Sequence, residues 1–288
     1  MVLINLPEHY NYIAIFLTLN CNLTCSYCIN HTVGLNSKRR HLNADEWITA
    51  INRINSFNDL PISLQGGEPS MHSGFLKILN GINAEKKIDL LTNLQFDLNK
   101  FTNTISNKKF SRDLPYPSIR VSYHPETMEL NNIVDKVKFL HDKGYSVGIF
   151  IVDHPESSSQ ISKAQELCQK HNLFFKTKDF LGEHKNKKYG QYHYQDSVFS
   201  SVLKDCLCKT SELLISPEGD VFRCHHDLYN KILPQGSILN ENFKIDDLFK
   251  PCQFYGKCNP CDVKLKNNRF QEFGHCSVEI KDVREPHI

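Results

Sequence analysis

The chain has 288 residues, 40% of them hydrophobic, with 34 basic against 32 acidic side chains and a formal charge of +2. That balance argues against a nucleic-acid partner, which would call for a stronger basic bias, and no run approaches the roughly 20 apolar residues of a membrane-spanning helix. The length allows one large domain and a small one, and eleven cysteines without an export signal point to metal ligation in the reducing cytoplasm, not to disulfides.

The first apolar run, residues 12–19, reads as a strand and leads straight into Cys21-Asn22-Leu23-Thr24-Cys25-Ser26-Tyr27-Cys28. Residues 1–10 lack a basic n-region, so this run is read as core and not as a signal peptide. Three cysteines at C-x3-C-x2-C can place three thiolates on three irons of one [4Fe–4S] cube. The fourth iron is left open, as a catalytic metal requires. A zinc site would want a fourth ligand nearby and a CxxC knuckle, and three buried free cysteines are the bland alternative.

From there strands and helices alternate. Asn43 with Glu46 three residues on makes a capping box before a helix through Trp47, Ile48, Ile51 and Ile54. Residues 61–65 read as a strand, followed by a helix through Phe75, Leu76 and Leu79. Strands are expected at 87–91, 118–122, 146–152 and 173–176. Between them lie a weaker helix at 101–105, a clear one through Ile133, Val134, Val137 and Leu140 that stops at Gly144, and one through Ile161, Ala164, Leu167 and Cys168. Cys168 is assigned to that helix's core face. Six β-α repeats with near-continuous apolar strands mean a parallel sheet. Residues 182–200 break into polar, Tyr- and Lys-rich sequence and read as a linker or lid.

Several strand ends carry polar residues. Gln65-Gly66-Gly67-Glu68-Pro69 offers two glycines that allow close backbone approach to a ligand and a carboxylate that can accept from an ammonium; a tight turn is the plain alternative. Thr92-Asn93 and Ser122 end the next two strands. His124 and Glu126 can face a substrate as acid and base, or open a helix as a His-Pro turn. Asp153-His154-Pro155 repeats that arrangement. Lys38-Arg39-Arg40-His41 and residues 185–188 form basic patches that suit an acidic substrate or simply solvated loops.

Seven of the eleven cysteines fall between Cys206 and Cys276. Residues 213–223 read as strand, turn, strand, with Pro217 and Gly219 in the turn, so that Cys208 and Cys224 flank a hairpin. A helix-like stretch follows at 245–249, then Cys258-Asn259-Pro260-Cys261. Paired cysteines at these spacings also suit zinc. Cys206, Cys252 and Cys276 are left unassigned. His225, His226 and Asp227 line a cavity between the domains or support the metal site.

The CxxxCxxC loop with Tyr27 before its last cysteine, followed one β-α unit later by GGEP, resembles the radical S-adenosylmethionine (SAM) enzymes. The hairpin cysteines and CxxC resemble the opening of the SPASM and twitch auxiliary-cluster modules. The resemblance implies an α/β fold: a partial (β/α)6 TIM-like barrel over residues 1–195, then a small cysteine-rich α+β domain over 196–288. It implies a [4Fe–4S] cluster on Cys21, Cys25 and Cys28, with SAM on the open iron and held by Tyr27, Gly66, Gly67, Glu68, Thr92, Asn93 and Ser122. It further implies one auxiliary [4Fe–4S] cluster on Cys208, Cys224, Cys258 and Cys261, with a second left open. The implied reaction is reductive cleavage of SAM to a 5′-deoxyadenosyl radical that abstracts hydrogen; His124 and Glu126, where the chain departs from the family's usual stretch, are the candidates for acid or base by their own chemistry. A peptide is the expected substrate, with epimerisation, cross-linking or oxidation as the outcome. Dehydrogenation of a small molecule such as an amino sugar is the alternative. A flavodoxin or ferredoxin would donate the electron. A zinc-binding interaction protein is the reading from another class.

Overall fold

The first apolar run forms strand β1 (Tyr12–Thr18), buried along its length except at Tyr12. The computed structural model describes residues 2–28, 40–57, 60–113, 115–190, 194–197, 200–256, 266–268, 271–275 and 277–284. Five further strands follow β1 in parallel, each beside the one before: β2 (Ile62–Gly66), β3 (Ile88–Thr92), β4 (Ile119–Tyr123), β5 (Val147–Asp153) and β6 (Phe174–Asp179). Helices α1 (Ala44–Asn52), α2 (Phe75–Gly81), α3 (Leu98–Thr104), α4 (Leu130–Asp142) and α5 (Ser158–Lys170) fill the crossovers.

Alternation along each strand splits the side chains between two faces. Ile13, Ile15, Leu64, Leu90, Val121 and Ile149 join Trp47, Phe101, Val137 and Cys168 in the core shared with the helices. The opposite face holds a polar cluster around Asp89, which is 1% exposed. Its carboxylate accepts from Arg112, from Arg120 Nη2 at 3.1 Å and from the Tyr116 hydroxyl at 3.2 Å. A buried carboxylate paired in this way avoids the several kcal/mol that an unpaired one would cost.

The capping box forms as expected: Asn43 Oδ1 accepts from the backbone N–H of Asp45 and Glu46, and Glu46 accepts from the Asn43 N–H. One expectation is refined and one corrected. Residues 182–189, part of the stretch read as a linker or lid, pair as a hairpin, β7 (Gly182–His184) with β8 (Lys187–Tyr189). It is fastened by Lys185 and His184, at 2.6 and 3.3 Å from Glu156. Residues 245–249 form no helix; Asp246 there pairs with Lys250 at 3.0 Å.

Strand β9 (Lys204–Thr210) begins the cysteine-rich part. The next strand, β10 (Glu212–Ile215), lies parallel against β1, Leu213 beside Ile13 and Ile215 beside Ile15. Strands β11 (Asp220–Phe222) and β12 (Gly236–Ser237) continue outward, making one nine-stranded sheet. The hairpin assigned to a second domain thus extends the barrel's own sheet. Physically, Glu212–Ile215 is buried throughout, as suits a strand covered on both faces. Strand β9 instead pairs with β13 (Lys250–Tyr255) and β14 (Val278–Arg284) in a separate three-stranded sheet.

Arg53, just past α1, is 4% exposed and ties these parts together. It donates to the carbonyls of Val2, Ile238, Asn240 and Glu241 at 2.8–3.0 Å. Among the described residues no helix is long and apolar enough to cross a membrane.

Candidate active site

The cysteine loop leaves the C-terminal end of β1. Its start is set by the Asn20 N–H donating to Thr18 Oγ1, and its end by the Cys28 N–H donating to the Cys25 carbonyl. Cys25 is buried while Cys21 and Cys28 are half-buried. Donors face the sulfurs: the Leu23 N–H lies 3.4 Å and Asn93 Nδ2 3.9 Å from Cys21 Sγ, and Thr127 Oγ1 lies 3.7 Å from Cys25 Sγ. Burial raises the thiol pKa values of Cys21 and Cys25, and the neighbouring cysteines raise them further. Three cysteines share one eight-residue loop, and N–H and O–H donors directed at their sulfurs suit sulfur ligands. The donor set therefore fits an iron–sulfur group. Among the described residues no three His, Cys, Asp or Glu side chains are set around a single-ion position.

GGEP forms the second layer of the site, but not as the spacing suggests. Gly66 has φ +141°, and a Cβ there would run into the Thr18 carbonyl; one on Gly67 would run into the Asn20 carbonyl. The glycines are needed because the cysteine loop's own backbone passes here, with Gly67 and Glu68 N–H groups donating to Thr18 and Asn20 carbonyls at 2.9 and 2.8 Å. Glu68 is 1% exposed and points inward. It accepts from Thr92 Oγ1 at 2.8 Å, the Asn93 N–H at 2.7 Å and the Ser70 N–H at 3.1 Å. Its carboxylate is a brace between β2 and β3. Thr92 is occupied by the same brace, and Asn93 Nδ2 reaches on to Asn22 Oδ1 at 2.7 Å. Ser122 is half-buried on the inner face of β4, beside Arg120 in the alternation.

The loop after β4 closes the other side. Glu126 accepts from the Ser26 N–H and hydroxyl at 2.8 and 2.6 Å, so it fastens the cysteine loop. The small burial cost on Glu126 is outweighed by these hydrogen bonds, and its pKa falls. His124 Nδ1 lies 2.8 Å from the Tyr27 hydroxyl. Burial lowers the His124 pKa and raises that of Tyr27, so Tyr27 donates to a neutral imidazole. Tyr27 also stacks on His154 at 5.5 Å between ring centroids, and His154 meets His184 and Phe180 edge-on at 4.8 Å. The second His-Pro turn and the β7–β8 hairpin thus complete an aromatic wall at this mouth.

Two further elements face the interior. Helix α6 (His225–Asn230) follows the second hairpin strand. Its His225 and Tyr229 rings lie 6.0 Å from Phe16 of β1, with His225 Nδ1 3.6 Å from buried Glu212. The sequence signals their shared helix face only by the spacing of four. Lys178 of β6 lies with Nζ 5.2 Å from the Phe150 ring centre. Burial, with Arg120 and Lys176 nearby, pulls its pKa down to about 7. It could have been found as the cation on the inward-facing alternate positions of the last strand.

Four of the C-terminal cysteines lie among the described residues. Cys206, Cys208, Cys224 and Cys252 are all buried. Cys224 caps α6, its Sγ accepting from the Asp227 N–H at 3.4 Å. Asp227 pairs with Arg223 at 3.0 Å, and His226 packs on Phe254 at 4.5 Å, so neither His226 nor Asp227 joins His225 against Phe16. Cys258, Cys261 and Cys276 lie outside the described residues, as do Lys38 and Arg39. Arg40 pairs with Glu46 at 2.7 Å. Cys168 lies in the core, where burial pushes its thiol pKa up to about 11.

Residues 15–109 match the family model described as Radical SAM superfamily. A 7-carboxy-7-deazaguanine synthase of Clostridium acetobutylicum is 25% identical over 163 residues, 56% of this chain and 67% of that protein. Among solved structures, Streptococcus suis SuiB bound to precursor peptide SuiA matches with a TM-score of 0.57 at 15% identity over 82% of this chain. The match spans 64% of the SuiB chain, just under two thirds of its length. Native anSMEcpe with bound AdoMet and Kp18Cys peptide matches with a TM-score of 0.55 at 14% identity, over 80% of this chain and 77% of that one. At these identities the structural likeness establishes the fold alone, an open parallel (β/α) barrel.

Proposed function

We propose that this chain, which carries a Radical SAM superfamily domain across residues 15–109, is an enzyme that cleaves SAM reductively and removes a hydrogen atom from a peptide. The observation that carries the reading is the Cys21–Cys25–Cys28 loop at the end of β1, fastened to the ends of β2, β3 and β4 by Gly67, Glu68, Asn93 and Glu126. When bound, a [4Fe–4S] cube with SAM on its open iron supplies the electron that splits SAM to methionine and a 5′-deoxyadenosyl radical, which takes hydrogen from the substrate. Cys21, Cys25 and Cys28 would hold the cube, with Leu23 N–H and Thr127 Oγ1 directed at their sulfurs. Tyr27, hydrogen-bonded to His124 and stacked on His154, would wall the SAM side of the mouth. Lys178 offers a cation to an anionic group of the substrate. A flavodoxin or ferredoxin in the cytoplasm would supply the electron, and an auxiliary cluster in the cysteine-rich part would relay it or steady the fold.

The peptide reading draws on SuiB and anSMEcpe, fold neighbours whose structures hold peptides. A small molecule is the second reading, favoured by the similarity to a 7-carboxy-7-deazaguanine synthase. The chemistry is tested by replacing Cys21, Cys25 and Cys28 together with Ala. 5′-Deoxyadenosine formation from SAM under dithionite should be abolished, and unchanged formation would sink the reading, as would stoichiometric zinc in place of iron. Peptide and metabolite fractions grown on deuterated medium then separate the substrates: deuterium should enter 5′-deoxyadenosine from the peptide fraction.

A further inference from the structure

Alternation along β4, β5 and β6 sets which side chains face the inside of the barrel. In the parallel register Ser122, Phe150 and Lys176 lie side by side. Arg120 is the next inward position toward the N-terminal end of β4, and Lys178 the next toward the C-terminal end of β6. Lys178 is half-buried against the Phe150 ring, and the charged groups that act on it are Arg120 and Lys176, both cations. Among the described residues no carboxylate pairs with it.

The floor of this face adds to the excess of positive charge. Asp89 accepts there from both Arg112 and Arg120, so one carboxylate faces two guanidiniums. Arg120 Nη2 also lies 3.4 Å from Ser63 Oγ, while its Nε is buried with no acceptor among the described residues. A half-buried cation among other cations is unfavourable until an anion joins it. Burial first, and then the two neighbouring cations, draw the Lys178 pKa down to about 7. The position also adjoins the cysteine loop. The Lys178 charge acts on His124, which feels Glu126 as well and lies 2.8 Å from the Tyr27 hydroxyl.

We infer that the substrate enters the barrel by a carboxylate, held between Lys178 and the Arg120 guanidinium with the Ser122 hydroxyl beside them. This rests on the hydrogen-abstraction reading above and names the chemical class of its substrate. One unbalanced charge at the floor and one lysine suit a carboxylate; a phosphate, with about two charges and three acceptor oxygens, calls for more. The carboxylate belongs to a peptide or to a free small acid, and the test separates the two sources.

The full-length, anaerobically reconstituted protein is given SAM, dithionite and the deuterated peptide and metabolite fractions, each split on an anion exchanger at neutral pH. Deuterium should reach 5′-deoxyadenosine from a retained pool, and methyl esterification of that pool's carboxyls should abolish the transfer. Transfer in the peptide arm identifies a peptide carboxylate, and transfer in the metabolite arm a free acid. Lys178→Met should lower transfer at limiting substrate about tenfold or more, and Lys178→Arg should restore most of it. Transfer by the parent should weaken as the pH rises through about 7, where Lys178 loses its charge, and Lys178→Arg should remove that limb. Transfer from the unretained pool, transfer that survives esterification, or transfer lost to phosphatase instead would overturn the carboxylate and leave the hydrogen-abstraction reading standing. Unchanged transfer by Lys178→Met would do the same. No deuterium from any pool would remove that reading and the inference together.

Discussion

Glu126 accepts both the backbone N–H and the hydroxyl of Ser26, at 2.8 and 2.6 Å, across a hundred residues of sequence. Ser26 lies between two of the cluster-loop cysteines, so the carboxylate fixes the loop's curvature from the far side of the site. Glu126→Ala should therefore lower iron retained on the N-terminal loop several-fold, and 5′-deoxyadenosine formation with it. Glu126→Gln, which still accepts through one oxygen, should lose less. The folded-state pKa of Glu126 is lowered. Its stabilising contribution is present above the ordinary glutamate value of about 4.3 and is lost as the pH falls through the lowered value. Acid titration of iron release checks this: release from the parent should begin at more acid pH than from Glu126→Ala.

Tyr27 and His124 give a second pH dependence. The folded-state pKa of His124 is lowered, chiefly by burial. The neutral imidazole's contribution is therefore complete above the ordinary histidine value of about 6.5, and is lost as the pH falls through the lowered folded value. SAM cleavage should weaken on that acid limb, and Tyr27→Phe, which has no hydroxyl to donate, should flatten it. A pH profile of 5′-deoxyadenosine formation in both proteins is the measurement.

Gly67→Val places a side chain against the Asn20 carbonyl. The loop must shift, so both iron at Cys21, Cys25 and Cys28 and SAM binding should be lost, with auxiliary iron retained. Overpacking of this kind costs on the order of 1–3 kcal/mol. Iron analysis beside calorimetric SAM titration distinguishes this from a variant that merely blocks SAM, which would keep its iron.

The strand order and the cysteine loop were legible because each rests on a local pattern: apolar runs between turn signals, capping residues at Asn43, and C-x3-C-x2-C. What a side chain does was less so. Glu68 offers a carboxylate to an ammonium, and nothing in GGEP reveals that Thr92 and Asn93, a full β-α unit later, also close on it. Glu126 had the chemistry of a base, yet its partner Ser26 lies a hundred residues away. The hairpin at 212–222 was read correctly as strand, turn, strand, but its parallel pairing with β1 depends on a long-range register that periodicity does not encode. Cys206 and Cys252 stood outside the recognised spacing for the same reason: β pairing, not sequence proximity, makes them neighbours.

Arg53 offers a test of how the parts are held. Its guanidinium satisfies four backbone carbonyls from two segments, at Val2 and at residues 238–241. Hydrogen bonds to a charged group contribute roughly 1.5–3 kcal/mol each, and burying an acceptor unpaired costs about 1–3 kcal/mol. Arg53→Met should lower stability by about 3 kcal/mol or more, read as a fall in the denaturation midpoint. Arg53→Lys should recover only part, since one ammonium cannot reach in so many directions.

The parallel pairing of β10 with β1 also sets an order of events during synthesis. Strand β1 gains β2 as a neighbour when residues 62–66 emerge, but its other edge stays unpaired until residues 212–215 have been made. A pairing across that much chain is slow to close, and an unpaired edge is a template for association with other chains. The strand that delivers Cys21, Cys25 and Cys28 is thus the last of the first five to be paired on both edges, β6 remaining at the sheet's edge. Nascent chains stalled short of residue 215 should be the ones that aggregate, and early metal loading of the loop would act on a barrel still open along its first strand.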